Sequence, residues 1–340
     1  QRWPGLATRL QGLKAFGSGE LKAHWQGGFA QANTPIELSL KSPRLQYASG
    51  KNTPWHILAS QFQMQGTLQA LQAQAVAQIA HGSEVGSVNT RLRASRAHAQ
   101  SDEWQAQVDS FRLDIPGPVG ASPWRAELQK AWPWQINLST AAPGLQWASA
   151  NWSLQGPTPG TAKLLAEAGQ WRAATPVRAA QAQGAARWED LPLSWLPGAW
   201  GPDIQSDVML QGQWQMQLDK GLNMSASMQR SRGDLLVHAD NAPGQRLPAG
   251  LREASVQWRL QGERMDAALT WDSEHMGQIR AQAQSVLRST SQGLQWDDQA
   301  PLTGSMVASL PKVGAWSLLA PPGWRVQGTL ESRLELSGTR

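Results

Sequence analysis

Six histidines, 25 acidic side chains and no cysteine are the groups with which this 340-residue chain could do chemistry. His24, His56, His81, His98, His238 and His275 never fall as close pairs, and no HExxH spacing occurs, so no metal centre is expected. The adjacent carboxylates Glu189-Asp190 and Asp297-Asp298 would point to opposite sides of an extended chain. They read as turn or cap residues, not as an acid and base pair. Nucleophile-elbow, phosphate-loop and dinucleotide-binding fingerprints are missing. Without cysteine there is no thiolate nucleophile, no thiolate metal ligand and no disulfide. The expectation is a protein that is not an enzyme and uses no cofactor. Arg232-Gly233-Asp234 spells an adhesion tripeptide, but it lies where a strand begins and reads as coincidence.

What the chain offers instead is patterned apolar surface. From Asp207 to Leu218 it reads DVMLQGQWQMQL, with Val208, Leu210, Trp214, Met216 and Leu218 on one parity and Gln211, Gln213, Gln215 and Gln217 on the other. Side chains of a strand alternate between the two faces of its sheet, so this is a strand with one greasy and one amide face. Leu21, Ala23 and Trp25 repeat the pattern, as do Ile36, Leu38 and Leu40, then WQAQV, FRLDI and WQINL. In the second half Val256, Trp258 and Leu260 alternate with Gln257, Arg259 and Gln261. After the Gly262 turn, Met265, Ala267, Leu269 and Trp271 continue the series. Turn chemistry at Gly27-Gly28, Pro116-Gly117-Pro118, Pro143-Gly144, Gly156-Pro157 and Pro243-Gly244 separates the strands at short intervals, which predicts antiparallel meanders.

Helical signals are few. DLPLSWLPGAW, with Asp190 as N-cap, and SLPKVGAWSLLAPPGW, with Ser309 as cap, predict short apolar helices; TAKLLAEA over 161–168 suggests a third. The first two belong to an internal repeat. Leu191-Pro192 matches Leu310-Pro311 at an offset of 119 residues. Ile204, Leu210, Trp214 and Met216 then match Trp324, Leu330, Leu334 and Leu336 at an offset of 120. A fainter copy opens the chain, from Trp3-Pro4-Gly5-Leu6 to Gly19, Leu21 and Trp25. The expected organisation is one elongated β-segment with repeat units at about 1–188, 189–308 and 309–340, the last one truncated.

Composition sets the surroundings. A formal charge of +5 comes from scattered Lys and Arg with no long basic run, which disfavours nucleic acid as a partner. No stretch approaches the roughly 20 apolar residues that a membrane span requires, and the opening QRWPGLATRL lacks signal-peptide architecture. Alternation at Leu330, Leu334 and Leu336 continues to the last residues. The chain is therefore expected to be a soluble, internal piece of a longer protein, without a transmembrane segment of its own. The absence of cysteine is compatible with an oxidising compartment.

The short Leu-Pro helix, the glycine-centred strand QSDVMLQGQWQMQL, then GDLLVHAD and AGLREASVQWRLQG together resemble the TamB family. The opening GSGELKAHWQGGFAQANTPIELSL and the closing VQGTLESRLELSGT are similar in the same way, so the resemblance covers most of the chain. TamB is the periplasm-spanning subunit of the bacterial translocation and assembly module. The resemblance implies an inner-membrane anchor and a segment contacting a TamA-like outer-membrane barrel, neither of which is recognisable in this sequence. It also implies a long curled antiparallel sheet with an apolar concave face, working in the periplasm of a Gram-negative cell. The implied function is outer-membrane biogenesis: passage of phospholipid between membranes, or handling of outer-membrane protein strands during protein secretion.

The fold expectation is thus all-β, an open groove with a few short helices at repeat boundaries. The competing reading is a β-sandwich or barrel whose apolar parity is closed core. The expected groove lining is Leu21, Trp25, Ile36, Leu38, Leu40, Val208, Leu210, Trp214, Met216, Leu218, Val256, Trp258, Leu260, Leu269, Trp271, Leu330, Leu334 and Leu336. The alternative function is a Trp-rich adhesin or carbohydrate-binding module. That would place Trp on the polar parity, whereas Trp25, Trp134, Trp214, Trp258 and Trp271 share parity with aliphatic neighbours.

Overall fold

Strict alternation makes strands, and the computed structural model consists of little else. It describes residues 14–27, 31, 33–48, 55–81, 84–98, 101–116, 122–139, 141, 143–196, 205–238, 246–290, 293–314, 316 and 327–339. Contacts divide the chain into two units, Gln1–Pro159 and Gly160–Arg340, a division that falls inside the first of the three expected repeat units.

The first unit contains β1 (Lys14–Trp25), β2 (Ile36–Ala48), β3 (Trp55–Thr67), β4 (Ala70–His81), β5 (Glu84–Arg96) and β6 (Glu103–Ile115). Four shorter strands follow: β7 (Trp124–Leu128), β8 (Trp132–Asn137), β9 (Gly144–Trp147) and β10 (Ala150–Gln155). Each of β1 to β6 pairs antiparallel with the next. Strand β6 then divides its free edge between β7 and β8, which continue to β10 and β9.

In the second unit β11 (Ala162–Ala166) and β12 (Gly169–Arg172) share one edge of β13 (Gln181–Pro192). The two-residue strand β14 (Gln205–Ser206) precedes β15 (Met209–Leu218), and β16 (Leu222–Arg232), β17 (Leu235–His238) and β18 (Arg246–Pro248) come next. Then follow β19 (Leu251–Gln261), β20 (Arg264–Ser273), β21 (Gly277–Val286), β22 (Arg288–Thr290), β23 (Gly293–Gln295), β24 (Pro301–Leu310) and β25 (Leu330–Thr339). The main ladder runs β13, β15, β16, β19, β20, β21, β24, β25, antiparallel throughout. Strands β14, β17 and β18 form a small sheet of their own, and β22 with β23 a separate hairpin.

Among the described residues there is no α-helix. The segment expected to be a helix capped by Asp190 forms only a 3-10 turn, Leu193–Trp195. Asp190 sits instead in β13 with φ 55°, at a register shift, and its carboxylate takes the Arg232 guanidinium at 2.9 Å. The TAKLLAEA stretch is strand β11, because Lys163 to Ala166 pair with Glu189 to Ala186. Of the SLPKVGAWSLLAPPGW segment, Ser309 and Leu310 end β24 and part of the remainder lies outside the described residues. The opening copy of the repeat at Trp3 to Leu13 lies outside them as well. The stronger repeat has a concrete meaning. Leu191 pairs with Leu210 across β13 and β15, and Leu310 pairs with Leu330 across β24 and β25. Each Leu-Pro closes one strand before the chain returns to pair with it.

On the polar parity, cross-strand ion pairs hold neighbouring strands. Arg93 on β5 meets Asp109 on β6 at 2.6 Å, and Asp114 on β6 accepts from Arg125 across on β7 as well as from Arg112 on its own strand. Arg252 on β19 reaches Asp272 on β20 at 2.7 Å. Hydrogen bonds from Arg93, Arg112 and Arg252, respectively, are the main cause that holds the Asp109, Asp114 and Asp272 carboxyls below the ordinary range. Groups with depressed folded-state values stabilise the fold above the ordinary carboxylate range, and that contribution is lost as pH falls through and below it. The melting temperature is expected to drop between about pH 5 and pH 3, and to drop less in a chain carrying Asp109→Asn, Asp114→Asn and Asp272→Asn. Thermal melts of both proteins across that range check this; parallel curves would assign the acid sensitivity elsewhere.

Candidate functional site: an open apolar face

Because register is fixed strand by strand, the apolar parity can be followed across each ladder. In the second unit one row runs Trp188, Gly212, Met228, Val256, Leu269, Ala281, Met306, Leu334. The next runs Ala186, Trp214, Ala226, Trp258, Ala267, Ala283, Gly304, Leu336. Neither row contains a charged or amide side chain. In the first unit Trp25, Ile36, Gly66, Leu71, Ala94, Ala106, Trp134 and Trp147 form one such row. Beside it run Ala23, Leu38, Met64, Ala73, Leu92, Val108 and Trp132. With strands about 4.8 Å apart, a row of eight is roughly 34 Å long.

These rows are partly open: some positions are exposed, most are half-buried, and Ile36 and Ala186 are buried. In the second unit Trp214 is 37% exposed, Val256 43%, Leu269 40%, Leu334 54% and Leu336 55%. In the first, Trp25 is 37% exposed, and Leu21 at 63% and Leu40 at 38% pair with each other in a neighbouring row of the same face. An opposing sheet would have buried these positions, so at them the apolar parity is not closed sandwich core. Leu38, Met216, Leu218 and Trp258 are half-buried on the same face, and Leu330, 43% exposed, closes the series on β25. Two rows about 7 Å apart give an apolar floor on the order of 400 Å², within the range of the largest apolar patch on an ordinary monomer, which is often functional.

Five of the expected lining residues are closed core instead. Val208, Leu210 and Trp271 pack with Leu193, Leu235, Ala249, Leu251 and Met276 at one end of the strands. The 3-10 turn, β17 and Trp316 supply the cover; Trp316 stacks edge-on to Trp271 and donates its indole N–H to the Met276 carbonyl at 2.9 Å. Asp234 ties this plug together, its carboxylate accepting backbone N–H groups from Leu235, Gly250 and Leu251. The tripeptide Arg232 to Asp234 is therefore a structural fixture. Ile36 is buried with Leu68 in a smaller cluster, and Leu260, 2% exposed, lies in the register row of Met265 and Ser285. Ser285 accepts the Trp296 indole N–H at 2.8 Å.

Several residues of the rows were missed in the sequence, above all on β3, β4 and β5. The signal was present in LQAQAVAQIA, where Leu71, Ala73, Ala75, Ala77 and Ile79 alternate with Gln72, Gln74, Val76 and Gln78. Alanine is too small to advertise a greasy face, yet between larger neighbours it keeps a row unbroken. Glycine does the same at Gly212, where an added Cβ would strike both the Ser227 carbonyl and the Trp188 ring. The Trp188 indole therefore lies across the neighbouring strand.

The opposite face is wet. Sheet twist gives both faces a concave diagonal, and each unit has an open depression on its polar side, of about 600 Å³ in the first and 690 Å³ in the second. Gln63, Gln65, Gln72, Gln74 and Arg91 line the first; Gln213, Gln215, Gln257, Arg259 and Gln282 line the second. No group of three or more metal-ligating side chains occurs among the described residues. No helix among them is long and apolar enough to cross a membrane.

In comparisons with known proteins, no family model matches the chain, and no curated protein and no solved structure matches it.

The open and closed parts of the apolar parity make opposite demands on stability. Leu210→Ala should cost about 2–5 kcal/mol, as expected for a buried leucine. Leu269→Ala, at a position already 40% exposed, should cost well under half of that. Denaturant unfolding of the two variants checks the difference; equal losses would mean that Leu269 is core in solution.

Proposed function

We propose that the apolar face is a carrier surface for lipid acyl chains, with no chemical step, in a protein of the TamB type that serves phospholipid passage between the two membranes of a Gram-negative cell. The observation that supports this reading is the pair of adjacent apolar rows in each unit, seven or eight strands long, with exposed positions such as Trp25, Trp214, Val256 and Leu269 among half-buried ones.

A methylene group exposed to water costs about 0.8 kcal/mol, so a sixteen-carbon chain outside a bilayer faces on the order of 12 kcal/mol unless it is covered. Isolated pockets leave that cost standing between stops. An unbroken row removes much of it at every position. One leaflet of a roughly 30 Å hydrocarbon core is about 15 Å deep, so a 34 Å row exceeds the reach of a single tail. A tail can thus shift along the row without leaving it. Methionine at Met228, Met306 and Met64 supplies flexible, polarizable lining that adapts to tails of different shape. On this reading the membrane anchor and the contact with a TamA-like barrel belong to other parts of the protein. Amphipathic strands of outer-membrane proteins are the other cargo that such a face suits.

Native mass spectrometry of the purified chain is expected to show co-purified phospholipid. Replacing Leu269 or Trp258 with Glu should remove most of it while leaving the far-UV strand signal unchanged. A chain that carries no lipid, or that carries glycan on its Trp-bearing face, would overturn the proposal in favour of a carbohydrate-binding module.

A further inference from the structure

The polar face of the second unit has a regularity of its own. Followed across the ladder from β15 to β24, one register row reads Gln213, Ser227, Gln257, Ala268, Gln282, Ser305. A glutamine stands on every second strand, with a small residue between. The three glutamines are exposed and the two serines half-buried. Amide teeth therefore recur about every 9.6 Å. Gln282 donates to Ser305 at 3.1 Å, while the Gln213 and Gln257 amides take no hydrogen-bond partner among the described residues. From Gln213 to Gln282 the row crosses the 690 Å³ depression, where Gln215 and Gln284 stand beside it. The charged side chains lining that depression are Arg259, Arg264 and Asp266; Asp266 is the register partner of Arg259 and meets Arg264 at 3.3 Å. In the first unit the corresponding row reads His24, Glu37, Gln65, Gln72, Arg93, with ionisable groups at both ends and no such alternation.

We propose that this row is a second binding site, for an uncharged glycan in extended, β-1,4-linked form, lying across the strands on the face opposite the apolar rows. The inference does not depend on the acyl-chain reading. A glutamine amide accepts through its carbonyl and donates through its NH₂, so one tooth can serve two neighbouring hydroxyls of a sugar at once. The spacing of about 9.6 Å is close to the span of one disaccharide in such a chain. Successive teeth thus meet chemically equivalent hydroxyls, with the small residues leaving room for the ring between them. A row without a formal charge gives an acidic polymer no counter-ion. The tryptophans lie on the other face, so recognition here is by hydrogen bonds, weak at each tooth and accumulated along the row.

The test titrates the whole chain with cellohexaose and with maltohexaose, which contain the same sugar but differ in linkage and therefore in extension. Calorimetry should show binding of cellohexaose and little of maltohexaose. Gln257→Leu, on the exposed polar parity, should weaken cellohexaose binding about tenfold, the order expected when two hydrogen bonds are lost, and leave co-purified phospholipid unchanged. Leu269→Glu, on the other face of the sheet, should leave cellohexaose binding as it is. Equal affinity for the two sugars, or none for either, would overturn the proposal. So would undiminished cellohexaose binding by Gln257→Leu, and loss of binding in Leu269→Glu would move the sugar to the apolar face and overturn it as well. Absence of co-purified lipid would sink the acyl-chain reading alone, because none of the sugar titrations depends on it.

Discussion

A single constraint governs this molecule: in an antiparallel ladder with a side-chain period of two, one misplaced residue moves everything beyond it to the other face. Rows eight strands long survive only if every pairing respects that parity. The ladders are nevertheless interrupted. Register shifts occur between Arg91 and Leu92, between Trp188 and Leu191, and between Leu251 and Glu253. At each of these three the spacing of apolar residues changes from two to three: Val108 to Phe111 on β6, Trp188 to Leu191 on β13, Leu251 to Ala254 on β19. A bulge adds one residue and bends the strand. At these three the sequence absorbs that residue by adding one polar position, so the apolar face is continuous through the bend.

The same constraint explains why so little of the chain is conventional core. The buried clusters sit at strand ends, where Leu210, Leu251 and Trp271 meet the small sheet and the 3-10 turn, and not in the middle of the ladder. Most cohesion therefore comes from backbone pairing between neighbours, from cross-strand side-chain contacts and from the polar-face ion pairs. The arrangement approaches a one-dimensional repeat, in which each strand answers chiefly to the two beside it.

Much of this was legible in the sequence. Alternation located β15, β19 and β20 and assigned their faces, because parity is a local property and needs no knowledge of the partner strand. The repeat was legible too, and its Leu-Pro pairs turned out to mark strand ends. The helices were not. Short apolar stretches fit a strand and a helix equally well, and pairing decided the matter: Leu164 opposite Trp188 and Ala166 opposite Ala186 make TAKLLAEA a strand despite its helix-favouring composition. Whether an apolar residue is open or covered was also beyond the sequence. Leu210 and Leu269 look alike in alternation, yet one lies under the plug and the other is 40% exposed, a difference set by chain segments far away in sequence.

The matched pairs Leu191 with Leu210 and Leu310 with Leu330 have a further consequence. Strand direction reverses at every step, so removing one strand would make its neighbours parallel, whereas removing a hairpin would leave direction, parity and both apolar rows intact. Such a sheet can lengthen or shorten only in pairs, in increments of about 9.6 Å. Its reach is quantised by the hairpin, and a gene encoding it can be extended by duplication without redesigning a single existing contact away from the junction.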